Sequence, residues 1–70
     1  MTDISGLRKD DRIVFNDGHE SRVLEMDDDG IHSMVSFINR LGKKQSLYFL
    51  NETGHAPGTE YDIVKVLKHA

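Results

Sequence analysis

The chain contains no cysteine, no tryptophan and only one proline among its 70 residues. Without cysteine it cannot form disulfides or cysteine-based zinc sites. Nowhere do about 18 apolar residues follow one another, as a membrane-spanning helix requires. Residues 1–6 lack the basic start and apolar stretch of a signal peptide. We therefore expect a cytoplasmic protein that does not span a membrane.

The length limits the architecture to one domain, residues 1–70. A single core in a chain below roughly 80 residues supplies only a few kcal/mol of stability. Small domains gain additional stability from disulfides, a structural metal or self-association, and disulfides are excluded here. A homo-oligomer is therefore predicted.

Short apolar runs recur at roughly ten-residue spacing, which is typical of a small all-β barrel or sandwich. Asp17-Gly18 is the strongest hairpin signal, because both residues tolerate the positive φ of a type I′ turn. Further turns are predicted at 27–30 and 40–44. Residues 65–70 are compatible with a final helical turn as well as with the end of a strand. Five strands are predicted, over residues 12–15, 21–26, 31–39, 45–51 and 61–67.

Apolar residues occupy both faces of several predicted strands. The run Leu47-Tyr48-Phe49-Leu50 is the clearest case, since neighbouring residues of a strand point to opposite faces. A barrel of this size has only one interior. The second apolar face is therefore predicted to lie under a loop or at an interface, which again favours a homo-oligomer.

Two parts of the chain resemble known proteins. The run Leu7-Arg8-Lys9-Asp10-Asp11-Arg12-Ile13 resembles the Leu-x-x-Gly-Asp-x-Val entry of Src-homology-3-like barrels, with Asp10 in the glycine place. Residues 16–66 are similar to small phage and prophage proteins, although Asn16 replaces an arginine and Ser33-Met34 stand where those proteins have a proline. The matching runs are Asn16-Asp17-Gly18, Arg22-Val23-Leu24, Asp29-Gly30, Glu52-Thr53-Gly54-His55 and Tyr61-Asp62-Ile63-Val64.

This resemblance implies a mostly β fold, a five-stranded antiparallel Src-homology-3-like barrel, with another small β-roll as the alternative. It also implies a phage accessory protein in the cytoplasm of a bacterial host. Small members of that class commonly bind and inhibit a host protein or sequester a host defence signal.

No cofactor, metal site or catalytic site is predicted. An EF-hand loop beginning at Glu25 would place Ser36 where the bidentate glutamate belongs. The four histidines have no close pair of the kind that zinc sites use. Serine and threonine hydroxyls are present, as is His55 near Asp62, but their spacing matches no nucleophile motif. We therefore predict a protein that is not an enzyme.

The candidate binding residues fall into three groups. A cationic hairpin tip could receive an anion or simply keep an exposed turn soluble. The loop 52–60 is long for a compact domain, which is common at functional sites, although it could be a plain connector. Tyr48 could offer an aromatic surface or belong to the core or an interface. The residues are Arg40, Lys43 and Lys44 in the tip, Thr53, His55 and Thr59 in the loop, and Tyr48.

These groups, together with the resemblance to phage proteins, suggest three functions. The first is a non-enzymatic protein that binds and modulates a host protein. The alternative is an oligomeric binder that sequesters a small anionic ligand such as a cyclic nucleotide. Nucleic-acid binding is third, because the net charge is −3 and the nine Lys and Arg are spread among twelve Asp and Glu.

Overall fold

A computed structural model describes residues 2–68, which form six β-strands and no helix. The predicted mostly β class is confirmed. Within that range no helix has the length and apolar character needed to cross a bilayer. The strands are β1 (Arg12–Phe15), β2 (Glu20–Arg22), β3 (Glu25–Asp28), β4 (His32–Ile38), β5 (Lys44–Leu50) and β6 (Ile63–Leu67).

The strands form two antiparallel three-stranded sheets, in the orders β2-β1-β6 and β3-β4-β5. A hairpin at Asp17-Gly18 joins β1 to β2, as predicted, and the Phe15 backbone N–H donates to the His19 carbonyl at 2.8 Å. The turn is not of the predicted type I′, because Gly18 has a positive φ of 89° and Asp17 does not. The prediction of five strands in one closed barrel differs from the structure. There are six strands in residues 2–68, and β5 and β6 do not pair with each other.

The sixth strand arises because the predicted strand 21–26 is interrupted at Val23 and Leu24. The Val23 N–H donates to the Asp11 carbonyl at 2.8 Å, toward the first sheet. The Leu24 N–H donates to the Ser36 carbonyl at 2.9 Å, toward the second sheet. One short segment therefore connects the two sheets through its own backbone hydrogen bonds.

The turn after β3 begins later than predicted, since Asp27 and Asp28 pair with β4 instead of turning. Asp29 forms the turn: its Oδ1 accepts the N–H groups of Ile31 at 2.9 Å and His32 at 2.7 Å. An aspartate commonly fixes a turn in this way, by accepting hydrogen bonds from the next backbone amides.

The C-terminal end of the described chain is extended. Residues 65–67 belong to β6, so the helical turn left open for them does not form, and His69 and Ala70 lie outside the described residues. Pairing with β1 decides the outcome, because Val66 lies opposite Ile13 in the register. Beyond the strand, the Lys68 Nζ donates to Asp11 Oδ2 at 3.0 Å and ties this end to the loop before β1.

One core cluster draws its side chains from both sheets. Four aromatic rings form its centre, with centroids 4.9 Å apart for Phe15 and Phe37 and 5.2 Å apart for Phe15 and Tyr61. Phe49 completes the group, 6.2 Å from Phe15. The outer faces keep apolar residues too, among them Tyr48, which is 62% exposed.

Candidate functional site

A groove runs beside Tyr48, between β5 and the loop that precedes β6. The register places Tyr48 opposite Met34 on the outer face of the second sheet, which leaves its ring in solvent. The groove has a volume of about 440 Å³, and we term it the Tyr48 groove. Its lining consists of Asp29, His32, Ser46, Leu47, Tyr48, Ala56, Pro57 and Thr59.

The far wall of the groove, residues 56–59, is held by its own hydrogen bonds. The Ala56 N–H donates to the Tyr61 carbonyl at 3.0 Å, and Ala56 itself is only 1% exposed. The Thr59 hydroxyl donates to the Ala56 carbonyl at 2.8 Å and accepts the Tyr61 N–H at 3.0 Å. Thr59 was predicted as a binding residue, and its hydroxyl is used to shape the wall.

Thr53 and His55 lie in a separate, smaller cleft of about 160 Å³, lined also by Thr2 and Asp62. The His55 Nδ1 is 2.5 Å from Asp62 Oδ1, across an isolated β-bridge between the two residues. The Thr53 Oγ1 accepts the His55 backbone N–H at 3.2 Å. These two predicted residues therefore stabilise the base of the loop and do not line the Tyr48 groove.

The cationic hairpin tip lies outside the lining of the groove. Arg40 forms an ion pair with Asp17 of the β1–β2 turn. The Lys44 Nζ lies 3.6 Å from Glu25 Oε1, and Lys43 donates its backbone N–H to Asn39 Oδ1 at 3.0 Å. The three predicted cations therefore lie near one another in the β4–β5 hairpin but do not line the groove with Tyr48 and Thr59. Their partners are Asp17, Glu25 and Asn39, none of which lines the groove either.

The charge in the groove is negative. The backbone N–H groups of His32 and Ile31 hold the pKa of the Asp29 carboxyl below its ordinary value of 3.8. The side chain is 65% exposed, and its Oδ2 lies 3.8 Å from the His32 Nδ1. At neutral pH the groove therefore presents a carboxylate beside a tyrosine ring.

The lowered pKa of Asp29 predicts a pH effect on stability. Because the folded-state pKa lies below the unfolded-state value, the carboxylate stabilises the fold above that value and the gain is lost as pH falls through the folded pKa. Asp29→Asn is expected to lose less unfolding free energy than the wild type between about pH 5 and about pH 2. Urea titrations at both pH values measure the difference. The control Asp27→Asn, whose carboxylate accepts no hydrogen bond within residues 2–68, should follow the wild type, and an equal loss in the Asp29 variant would contradict the prediction.

Six lining residues are not among the predicted binding residues: Asp29, His32, Ser46, Leu47, Ala56 and Pro57. Alternation along β5 could have identified Ser46, since it shares the outer face with Tyr48. No local pattern could have identified Asp29 or His32. Their position depends on the pairing of β4 with β5, which joins residues far apart in sequence.

Neither a metal centre nor a known family explains the groove. Within residues 2–68 no group of three or more His, Asp or Glu side chains is placed to hold a metal ion. Comparison of the chain with protein-family models, curated proteins and solved structures found no match to any of them. Function must therefore be inferred from the surfaces and side chains described above.

Proposed function

We propose that the protein is a non-enzymatic interaction protein of phage type that binds and modulates a bacterial host protein in the host cytoplasm. Its binding surface is the Tyr48 groove. The observation that supports this most is that Tyr48 is 62% exposed beside a groove that offers apolar contact and one carboxylate.

The chemistry of the groove suits a protein partner. Tyrosine is enriched at the energetic centres of protein interfaces because its ring gives a large apolar contact while its hydroxyl remains able to bond. Leu47 and Pro57 extend the apolar lining, and Asp29 adds charge that can select a partner. A folded wall and a folded strand enclose the groove, so little ordering is needed upon binding.

The hydroxyl groups support a role without catalysis. The Ser33 Oγ donates to Asn51 Oδ1 at 2.6 Å, and the Oγ atoms of Ser36 and Ser46 are 2.7 Å apart. A serine nucleophile requires a neighbouring base that accepts its proton. Within residues 2–68 no hydroxyl group donates to the ring of His55, which bonds to Asp62 instead.

The proposal includes a Src-homology-3-like arrangement of the strands. Its support is the short gap between β2 and β3, which makes them nearly one strand that serves both sheets. Asp10, in the glycine place of the resemblance, has a φ of 75°, the left-handed conformation that glycine favours. Exposed Val64 and Leu67 of β6 support self-association, which light scattering would contradict by finding only the monomer mass at high concentration.

Tyr48→Ala is expected to weaken capture of the host protein by about 30-fold or more, which corresponds to roughly 2 kcal/mol for an aromatic anchor. Pull-down from bacterial lysate with immobilised wild-type chain identifies the partner, and titration of the purified partner measures both affinities. The stability of the variant should change by no more than about 1 kcal/mol, since Tyr48 is 62% exposed and lies opposite Met34 on the outer face of the sheet.

Leu41→Ala is the matched control, because Leu41 is 80% exposed and does not line the groove. It should bind the partner as the wild type does. Equal binding by Tyr48→Ala and wild type would overturn the proposed role of the groove. A thermal shift with cyclic nucleotides, or salt-sensitive binding of oligonucleotides, would instead favour the small-anion or nucleic-acid function.

A further inference from the structure

We propose that the free edge of β5 binds an extended segment of the partner as an added strand, and that this segment combines apolar residues with a lysine or arginine. The inference rests on the proposed function and names the element that the partner supplies. Main-chain hydrogen bonds to a sheet edge would provide affinity, and the Tyr48 groove would provide selectivity.

The hairpin with β4 shows which backbone N–H and C=O groups of β5 point toward β4 and which point away from it. The Asn39 N–H donates to the Lys43 carbonyl at 2.8 Å, so this pair is hydrogen-bonded. Hydrogen-bonded and non-hydrogen-bonded pairs alternate along an antiparallel ladder. The register pairs Ser36 with Ser46 and Met34 with Tyr48, which are therefore non-hydrogen-bonded pairs.

A second observation at the other end of β5 agrees with this direction. The Leu50 N–H donates to the His55 carbonyl at 2.8 Å, away from β4. Ser46 and Tyr48 lie four and two residues before Leu50, and the backbone groups of a strand alternate in direction from one residue to the next. Their N–H and C=O groups therefore point to the same side as those of Leu50. Within residues 2–68 no backbone or side-chain group bonds to those four atoms, and β5 has β4 as its one partner strand.

The Tyr48 groove lies along this unpaired stretch. Both Ser46 and Tyr48 line it, and residues 56–59 form the opposite wall. The two residues are about 6.8 Å apart along an extended strand, so a segment of about five residues covers their four free backbone groups. The groove is thus an edge with unused donors and acceptors, bordered by a loop that is held by its own hydrogen bonds.

The side chains of the groove define the partner segment. A residue opposite Leu47 would point its side chain toward Leu47, Ala56 and Pro57, which favours an apolar residue. Its neighbours would lie on the outer face with Tyr48 and the carboxylate of Asp29, which favours a lysine or arginine. The net charge of −3 acts in the same direction.

A second copy of the chain fits this edge less well. Its β5 would arrive with its own loop 56–59 beside the same edge, and two loops would compete for the space of one added strand. A partner segment without such a flanking loop meets no such conflict. We therefore assign the edge to a different protein, while the exposed apolar residues of β6 remain for self-association.

The test uses heptapeptides selected from a random library against the full chain, followed by Ser46→Pro. Proline removes the free N–H of Ser46 without removing a bond to β4, and prolines are tolerated on edge strands. Ser46→Pro is expected to weaken peptide binding by roughly tenfold or more, because the bonding peptide carbonyl is left without its donor. Ser46→Ala is the matched reference, because it also loses the hydroxyl bond to Ser36 but keeps the N–H. Ser46→Pro should bind the peptide roughly tenfold more weakly than Ser46→Ala does, and equal binding by the two variants would contradict the strand addition.

A second measurement on the wild-type protein keeps the test valid if Ser46→Pro does not fold. Methylation of alternate peptide amides, those opposite Ser46 and Tyr48, should abolish binding, whereas methylation of the intervening amides should be tolerated. Selection of peptides with alternating apolar residues and a basic residue supports the proposal. No selected binder, or equal sensitivity to both methylation patterns, would overturn it, as would selected peptides that match residues 44–50 of this chain together with a dimer in light scattering.

The outcome can be separated from that of the proposed function. If the host protein requires Tyr48 but binds Ser46→Pro with unchanged affinity, the groove is used and the strand addition is wrong. If methylation of alternate amides abolishes peptide binding as expected but no host protein binds at the groove, the edge of β5 can bind an added strand and the proposed function is wrong.

Discussion

Phe15→Ala is expected to unfold the protein at room temperature. Phe15 is 1% exposed, and its ring contacts those of Phe37, Phe49 and Tyr61 at centroid distances of 4.9 to 6.2 Å. Truncation of a buried phenylalanine costs about 3–5 kcal/mol. Because a single core of this size supplies only a few kcal/mol of net stability, the loss removes most or all of it.

Far-UV circular dichroism and urea titration measure this effect, with Leu41→Ala as control. Leu41 is 80% exposed in the β4–β5 turn, so its truncation should change the unfolding free energy by no more than about 0.5 kcal/mol. A folded Phe15→Ala variant that lost less than about 1 kcal/mol would show that the aromatic cluster is not the centre of the core.

Gly54→Ala is expected to destabilise the protein by about 2–4 kcal/mol, as the sum of left-handed strain and a weakened backbone hydrogen bond. Gly54 has a φ of 75°, and a Cβ there would lie 2.7 Å from the Ile63 carbonyl oxygen and 3.0 Å from that of Thr2. The Ile63 N–H donates to the Gly54 carbonyl at 2.8 Å, so relief of the clash must disturb the start of β6.

Gly58→Ala isolates the effect of that close approach. Gly58 has a φ of 82°, and a Cβ there would meet nothing within 4 Å. Its substitution therefore carries the left-handed strain alone, about 1–2 kcal/mol. Thermal unfolding of both variants should rank Gly54→Ala as clearly less stable. Equal melting temperatures would contradict a steric role for Gly54.

Most turns and strands could be predicted because their signals are local. Asp17-Gly18 marks its own hairpin, and the run 12–15 matches β1. The division of the second strand could not be predicted in this way. It depends on the Asp11 and Ser36 carbonyls, which approach Val23 and Leu24 only after the two sheets have packed.

The candidate site was predicted residue by residue but not as a surface. Tyr48 and Thr59 do meet in one groove, although they come from different segments. The sequence predicts Arg40 as part of a cationic tip that could receive an anion or keep the turn soluble, and the structure pairs it with Asp17 from another hairpin. Such contacts follow from the relative position of the two sheets, which local patterns do not contain.

The segment Val23–Leu24 has a mechanical consequence. Its two neighbouring amides bond to different sheets, so the sheets cannot move apart without a change of backbone conformation at these two residues or the loss of one of the two bonds. The core is also drawn from both sheets, so we expect the two sheets to unfold together. A displacement of the edge of β5 would reach the first sheet through β4 and this segment, since β5 pairs with β4 and Ser36 of β4 accepts the Leu24 N–H.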